Sequence, residues 1–327
     1  MKKSLLALAV LGAFAGAAAA QSSVTLYGRV DLSAGKGAGI KTKSLANGSG
    51  SRFGVRGVED LGGGLQALFN IEHRFNADTG AQTNAARFWQ GRSIVGLQGG
   101  FGQVVFGREY TTAFLQSQLV ADPWGWDTVV NGTLGGSAGN IAITGGGGIA
   151  AVRNDSSATY KISASGFTFG AQVAEATDAI NNFQKKPVNF ALSYAAGPLV
   201  AGFGYEATGA QAAAKAKWTT FNASYNLGFA RIGGFYGKGN TAADDDHTAW
   251  LFSAVAPIGA GEFRASYGQL ERETAAGVKT KPTKALALGY HYSMSKRTTL
   301  YVDVLNDRGD SITTSKTGYD VGIKHNF

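Results

Sequence analysis

The side chains of this sequence that could create a chemical environment are arginines that alternate with apolar residues. Arg52 and Arg56 alternate with Phe53 and Val55, and Arg92 stands at the opposite parity to nearby apolar positions. Because successive side chains of an extended strand point to opposite faces, these arginines share the face away from the apolar residues. A guanidinium stays protonated at any relevant pH, so such a row would form a fixed positive wall.

Arg74 and Arg153 fall at the same inward parity in their own segments. The carboxylates that could face the arginines are Asp122 and Asp127, in a stretch that is otherwise almost uncharged from 111 to 152. Opposed charges across a narrow water-filled gap set up a transverse field, which orients polar solutes, while the sign in excess selects ions. The arginines could instead pair within the wall. Their partners would then be Glu59, Asp60 or Glu72.

The sequence does not predict an enzyme. A hydrolase needs a nucleophile and a base that a third polar group orients. The chain has no cysteine and four histidines, which are scattered. The period-two alternation places His73 and His325 on apolar faces. Of the other two, His247 and His291, only His291 is expected to face inward, and no partner is evident for it.

No cofactor and no metal site are predicted either. The glycine-rich stretches at 35–40 and 144–149 lack the G-K-S/T ending of a phosphate-binding loop. The run D-D-D-H at 244–247 could attract a divalent cation. Such a run is more often a solvated loop tip or a contact with lipopolysaccharide through cations.

Segments of about ten residues that alternate in polarity, separated by turn residues, must position these side chains. Sixteen such segments are recognisable, although the polar and apolar residues of 247–257 do not fall cleanly on two faces. They start near Val24, Ser51, Leu65, Ala86, Gly102, Ser157, Phe167, Val188, Leu199, Trp218, Ala230, His247, Glu262, Lys284, Arg297 and Lys316. A tilted strand of this length crosses an apolar band about 25 Å tall. The sequence therefore predicts an all-β fold, a 16-stranded antiparallel transmembrane β-barrel.

The connections between these segments alternate between short turns and long polar loops. This alternation is typical of outer-membrane barrels, which have short turns at one rim and long loops at the other. The third long connection is an outlier, because residues 112–152 show no strand pattern. Trp124 and Trp126 predict that this loop is ordered and folded into the lumen; the alternative is a mobile surface loop.

The N-terminus indicates export. Lys2 and Lys3 precede an apolar run at 5–14 and then small residues, which predicts a cleavable signal peptide at 1–20 and a mature barrel at 21–327, exported by the Sec pathway. Removing the two lysines lowers the formal charge from +8 to +6. The remaining basic residues are dispersed, so a nucleic-acid partner is not expected.

The last segment alternates in polarity and ends the chain at an aromatic residue, Phe327. Several segments are distinctive together: V-T-L-Y-G-R-V-D (24–31), S-R-F-G-V-R-G-V-E-D-L-G-G-G-L (51–65), G-R-S-I-V-G-L (91–97), F-G-Q-V-V-F-G-R (101–108) and the terminal G-I-K-H-N-F. In these segments the chain resembles the general diffusion porins of Gram-negative outer membranes, in their beta-proteobacterial branch.

The resemblance implies an outer-membrane homotrimer, surrounded by lipid and lipopolysaccharide, that passes small ions and hydrophilic solutes passively. It also implies that the third loop forms a constriction and that the barrel-insertion machinery reads Phe327. Arg52, Arg92 and Arg153 stand where such porins place pore arginines. Parity adds Arg56 and Arg74 to this set.

The chain departs from the anion-selective members of the family, which have consecutive arginines where this chain has Gly91 and Arg92. We therefore expect a weak anion preference, unless Arg29, Arg74 or Arg87 compensates. The alternative is a solute-specific channel in which aromatic rings stack on a substrate. The tryptophans that could contribute to such a slide are Trp89, Trp124 and Trp126.

Overall fold

A computed structural model describes residues 22–134, 151–175, 185–209, 215–241 and 243–327. Within these residues, sixteen long strands follow one another along the chain. They are β1 (Ser23–Lys36), β2 (Ser51–Gly62), β3 (Leu65–Phe75), β4 (Arg92–Gly99), β5 (Gly102–Tyr110), β6 (Arg153–Ala164), β7 (Phe167–Ala174), β8 (Lys185–Ala196), β9 (Leu199–Gly209), β10 (Lys215–Asn226), β11 (Arg231–Asn240), β12 (Asp246–Ile258), β13 (Gly261–Glu273), β14 (Lys279–Ser293), β15 (Thr298–Asp307) and β16 (Thr317–Asn326).

Each long strand pairs antiparallel with the next, and β16 returns to pair with β1. Arg29 lies opposite Asn326, and the backbone N–H of Phe327 donates to the carbonyl of Gly28 at 3.1 Å. The sheet is therefore closed, and the predicted 16-stranded antiparallel barrel is confirmed. No helix in the described part of the chain is both long and apolar enough to cross a membrane.

The alternation in β14 shows which side of the wall faces which environment. Leu286 and Leu288 are exposed on the outer face, whereas Ala285, Ala287 and His291 are buried on the inner face. The same alternation along the other strands leaves exposed apolar side chains around the outside of the barrel. A water-filled barrel in a bilayer requires this arrangement, since lipid contacts its outer face.

The segment that did not sort by polarity, 247–257, has apolar residues on both faces of β12. Phe252 is exposed outside, while Leu251 packs on the inner face against Trp218 and Leu270. Ala121, from the connection between β5 and β6, packs on the same inner cluster. A simple alternation fails here because this part of the inner wall contacts protein instead of water.

Five strands start three or more residues from the predicted positions, namely β4, β6, β8, β10 and β14. A three-residue strand, Ser44–Ala46, was not anticipated. The strand predicted near Ala86 begins at Arg92 because the preceding residues cover the outer wall. The ring of Phe88 stacks on that of His73 with 4.1 Å between centroids. The predicted signal peptide, 1–20, lies outside the described residues.

The connection from β5 to β6 is described at 111–134 and 151–152; the rest of the predicted loop 112–152 lies outside the described residues. Its helical turns are Phe114–Gln118 (π-helical), Leu119–Ala121 (α-helical) and Val129–Asn131 (3-10). The backbone N–H and hydroxyl of Thr112 donate to Asn189 on β8, at 2.9 and 2.8 Å. Asn222 on β10 donates to the carbonyl of Ser117 at 2.8 Å.

The second half of this loop segment contacts the opposite wall. The indole N–H of Trp124 donates to Asp303 on β15 at 2.7 Å, and the backbone N–H of Val129 donates to Asp320 on β16 at 2.9 Å. Trp124 is 2% exposed and packs against Leu305 and neighbouring apolar residues. Segment 111–134 therefore spans from the inner faces of β8 and β10 to those of β15 and β16.

Candidate functional site

A space of about 610 Å³ lies between the loop segment 111–134 and the inner faces of the first barrel strands. Charged side chains dominate its lining. Eight are basic and three acidic: Arg29, Arg52, Arg56, Arg74, Arg92, Arg153, Arg264 and Lys324, against Glu72, Asp122 and Asp127. We call this space the arginine cavity. The structure brings together all seven charged residues that the sequence assigned to the constriction.

Three of these arginines have no carboxylate within ion-pair distance in the described residues. Arg52 donates from Nε to the carbonyl of Gly50 at 2.8 Å. The guanidinium of Arg56 lies over the ring of Tyr27, 5.3 Å from its centroid, and that of Arg153 lies 4.0 Å from the ring centroid of Tyr110. Their charges are therefore available to ions in the cavity.

Three other arginines form ion pairs within the wall, and one of them is Arg264, which pairs with Glu262 of the same strand. Nη2 of Arg74 lies 2.8 Å from Oε1 of Glu72, and Nε of Arg92 lies 2.8 Å from Oε1 of Glu109. Of the pairings within the wall that the sequence left open, the structure therefore contains the one between Arg74 and Glu72. Glu59 and Asp60, the other suggested partners, are exposed near a short turn.

Tyr110 was not singled out from the sequence, yet it contacts three of the arginines. Its phenol oxygen accepts hydrogen bonds from Arg74, at 2.7 Å, and from Arg153. Its ring also lies 5.3 Å from the guanidinium of Arg92. Tyr110 therefore holds like charges beside one another without neutralising them.

A β-bulge aims this end of β5 into the cavity. The pairing of β5 with β6 shifts between Gly107 and Glu109, and Gly107 has φ of +120°, a conformation that favours glycine. Arg108 and Asp155 point outward and pair at 2.5 Å. Beyond the bulge, Tyr110 lies opposite Arg153.

The two predicted carboxylates have different environments. Asp127 lies 3.1 Å from Arg29 and 3.6 Å from Lys324, so it contacts basic residues of the wall. Asp122 instead accepts from the backbone N–H groups of Trp124 and Trp126 at 3.1 and 2.7 Å. Asp122 therefore lines the cavity while its oxygens hold the turn of the loop, whereas Asp127 contacts the basic wall.

Burial raises the pKa of Asp122 from its ordinary 3.8 to about 6, although its backbone hydrogen bonds oppose the shift. Because the pKa in the folded loop exceeds the ordinary value, the attached loop favours the protonated acid. Its attachment should be strongest below about pH 4 and weaken by up to about 3 kcal/mol as the pH rises through 6. We expect open-channel current fluctuations to grow between pH 4 and pH 7.

Asp122→Asn provides the comparison for this pH dependence, because the amide keeps an acceptor oxygen and does not titrate. Its current fluctuations should stay constant over the same range. An equal rise in the variant would assign the effect to another acid that contacts the loop, such as Glu206, which accepts from Gln118 at 2.7 Å.

Three arginines were expected to compensate for the glycine at position 91, and two of them, Arg29 and Arg74, line the cavity. Arg87 does not, since it pairs with Asp155 at 2.6 Å on the outer side of the barrel. Arg264 and Lys324 line the cavity although no sequence pattern singled them out. They come from β13 and β16, and only the closure of the barrel brings these strands near the loop.

The histidines also require corrections. His291 does have a partner, because its Nε2 lies 3.1 Å from Oδ1 of Asp303, the acceptor of Trp124. His247 is buried on the inner face of β12, although only His291 was expected to look inward. In the run 244–247, Asp245 pairs with Arg272 at 2.6 Å. No group of three potential metal ligands is assembled among the described residues.

A closed sixteen-stranded barrel with an apolar outer face and a charged inner cavity defines an outer-membrane channel protein. The model of the Gram-negative porin family matches residues 7–311. The chain therefore belongs to the Gram-negative porins and is integral to the outer membrane.

Similar proteins agree with this assignment. Outer membrane porin protein 32 of Delftia acidovorans is 33% identical, and an outer membrane porin protein of Bordetella pertussis is 31% identical; in both cases the two chains are covered in full. The anion-selective porin from Comamonas acidovorans is 28% identical with a TM-score of 0.73, covering 94% of this chain and 100% of that one.

The trimer form of OmpT from Vibrio cholerae has a TM-score of 0.74 at 16% identity and covers 94% of this chain and 99% of that one. At this level of identity the match supports the fold alone. The family and these relatives are channels of the outer membrane.

Proposed function

We propose that this porin is a passive channel with a weak anion preference, whose constriction is the arginine cavity. The observation that carries the proposal is the excess of eight basic over three acidic side chains in the lining. Fixed charges beside a narrow water path favour ions of the opposite sign, and facing carboxylates limit that preference. Asp127 and Glu72 each lie within ion-pair distance of an arginine, which makes the preference weak instead of strong.

Reversal potentials in planar bilayers under a potassium chloride gradient test the proposal. We expect a potential of the sign that indicates modestly faster chloride permeation. A clear cation preference would contradict the proposed selectivity, and absence of conductance from correctly folded protein would contradict the channel itself.

The alternative of a solute-specific channel requires aromatic rings along the water path. Trp124 is buried, and its indole N–H is bonded to Asp303; Trp89 lies on the outer wall near Phe53, with 6.4 Å between ring centroids. Trp126 lines the cavity beside the arginines, together with three other rings that are already engaged. Tyr27 and Tyr110 lie against guanidinium groups, and Phe114 stacks on Tyr110, so these rings do not form a free row for a substrate. These positions favour general diffusion, for which liposome swelling should fall smoothly with sugar mass and show no saturation.

The remaining partners are also part of the proposal. The exposed apolar outer face suits lipid and a second copy of the chain, and the trimer form of OmpT supports a homotrimer. Phe327 directly follows β16, and its ring occupies the space that a Cβ on Gly28 would take. We assign Phe327 as the signal for the barrel-insertion machinery. Deleting Phe327 should lower the amount of folded barrel in the outer membrane, whereas Phe327→Tyr should not. Lipopolysaccharide is the expected neighbour at the long-loop rim.

A further inference from the structure

A second space, of about 320 Å³, opens beside the arginine cavity and shares Arg92, Tyr110 and Leu115 with it. Its wall comes from the inner faces of β5 to β9, close to the short turns that join β6 to β7 and β8 to β9. The helical turns of the loop segment cover its other side. We call this space the side recess.

The lining of the side recess contains one basic side chain without an ion-pair partner in the described residues, and this side chain is Lys161. Glu109, the acidic residue of the lining, accepts from Nε of Arg92 at 2.8 Å and from the backbone N–H of Tyr110 at 2.6 Å. Because Arg92 offsets Glu109, Lys161 supplies the net charge.

Part of the lining is apolar. Leu115 and Val120 project from the loop, opposite Val105 and Val200 of the wall, and Val120 is 39% exposed. The lining also contains hydroxyl and amide side chains. They are Gln103, Thr112, Gln116, Thr159, Thr168 and Ser193. A lining that combines aliphatic side chains with an ammonium that has no carboxylate partner in the described part of the chain matches an anion that carries a short hydrocarbon chain.

We infer that the side recess binds small organic anions with one anionic head group and a short aliphatic body, with the head group on Lys161 and the body against Leu115 and Val120. Such an anion would reach the recess from the arginine cavity, because the two spaces share residues. The inference rests on the proposed function to the extent that anions must enter the channel. It adds a site at which permeating anions pause according to their apolar length.

Alkyl sulfonates from methane- to hexanesulfonate are suitable probes, since they stay ionised and do not cross the bilayer as neutral acids. Each should reduce the potassium chloride conductance of the purified porin in a concentration-dependent way. The half-blocking concentration should fall by about twofold to threefold for each added methylene, which is less than full burial of that group would give. Alkyltrimethylammonium ions of the same lengths should not block.

Lys161→Gln should raise the half-blocking concentration of hexanesulfonate by about tenfold or more, since a charge-assisted hydrogen bond is lost, and Lys161→Arg should restore most of the block. Val120→Asn should remove the dependence on chain length. Lys296→Gln, which removes the same charge from an exposed short turn, should change neither.

The recess would be refuted by block that is independent of chain length, or by block that Lys161→Gln leaves unchanged, in a porin that still prefers chloride. Loss of the chloride preference itself would instead refute the proposed function. Equal block by the ammonium series would assign the effect to apolar contact alone and also overturn the inference.

Discussion

Replacing Arg52 and Arg153 together with glutamine should lower the chloride-to-potassium permeability ratio about tenfold and so turn the weak anion preference into a cation preference. A unit positive charge about 6 Å from the ion path changes the energy of a monovalent ion by about 0.7 kcal/mol in water. The change is favourable for chloride and unfavourable for potassium. Two such charges would change the ratio further, but salt screens them. Arg52 and Arg153 are the strongest choice because neither pairs with a carboxylate in the described residues, so their removal leaves no acid unbalanced.

The control is Lys296→Gln with Arg297→Gln, which removes two positive charges from an exposed turn outside the arginine cavity. Its permeability ratio should match that of the native porin. Reversal potentials at about 0.1 M and about 1 M salt measure both variants, and the difference between them should shrink at the higher concentration. If both double variants shifted the ratio equally, net charge would control selectivity, and the arginine cavity would not be the constriction.

Trp124→Ala should detach the second half of the loop segment and raise the single-channel conductance. Removing a large buried aromatic side chain costs about 3–5 kcal/mol. It also leaves the carboxylate of Asp303 without the indole donor, which stood 2.7 Å away. We expect larger and noisier currents and a higher size limit for sugars in liposome swelling.

The barrel itself should survive this substitution, because the strand pairing does not involve Trp124. The shift in electrophoretic mobility on heating checks that the barrel is intact. Trp89→Ala is the matched control, since it removes the same side chain from the outer wall and should leave the conductance unchanged. Unchanged conductance in an intact Trp124→Ala barrel would show that other contacts of the loop are sufficient to hold it.

The strand count and the inward parity of the arginines could be predicted because they depend on local alternation. A side chain such as Arg52 shares a strand with Phe53 and Val55, and a period of two residues is enough to place it. Alternation fails where the inner wall is apolar, as at Leu251. Alternation also placed the start of β4 too early. Phe88 and Trp89 are apolar because they cover the outer wall, but they do not lie in a strand.

The parts that the sequence could not predict depend on contacts across the barrel. Arg264 and Lys324 lie far along the chain from Arg52, and only the closure of the sheet brings them to one cavity. Asp122 shows another limit, because a carboxylate in a loop can face the cavity or accept from nearby backbone N–H groups. The partner of His291 could have been found, since in the β14–β15 hairpin Asp303 pairs with Gly289, two residues away.

The loop segment that spans the lumen has a mechanical consequence. A wide barrel holds water where a small one holds packed side chains, so its cross-section can flatten when the bilayer presses on it. Hydrogen bonds at Thr112 and Trp124 attach the two ends of this segment to opposite walls. The segment is therefore placed as a cross-brace between the two walls, and we expect it to resist such flattening of the cylinder.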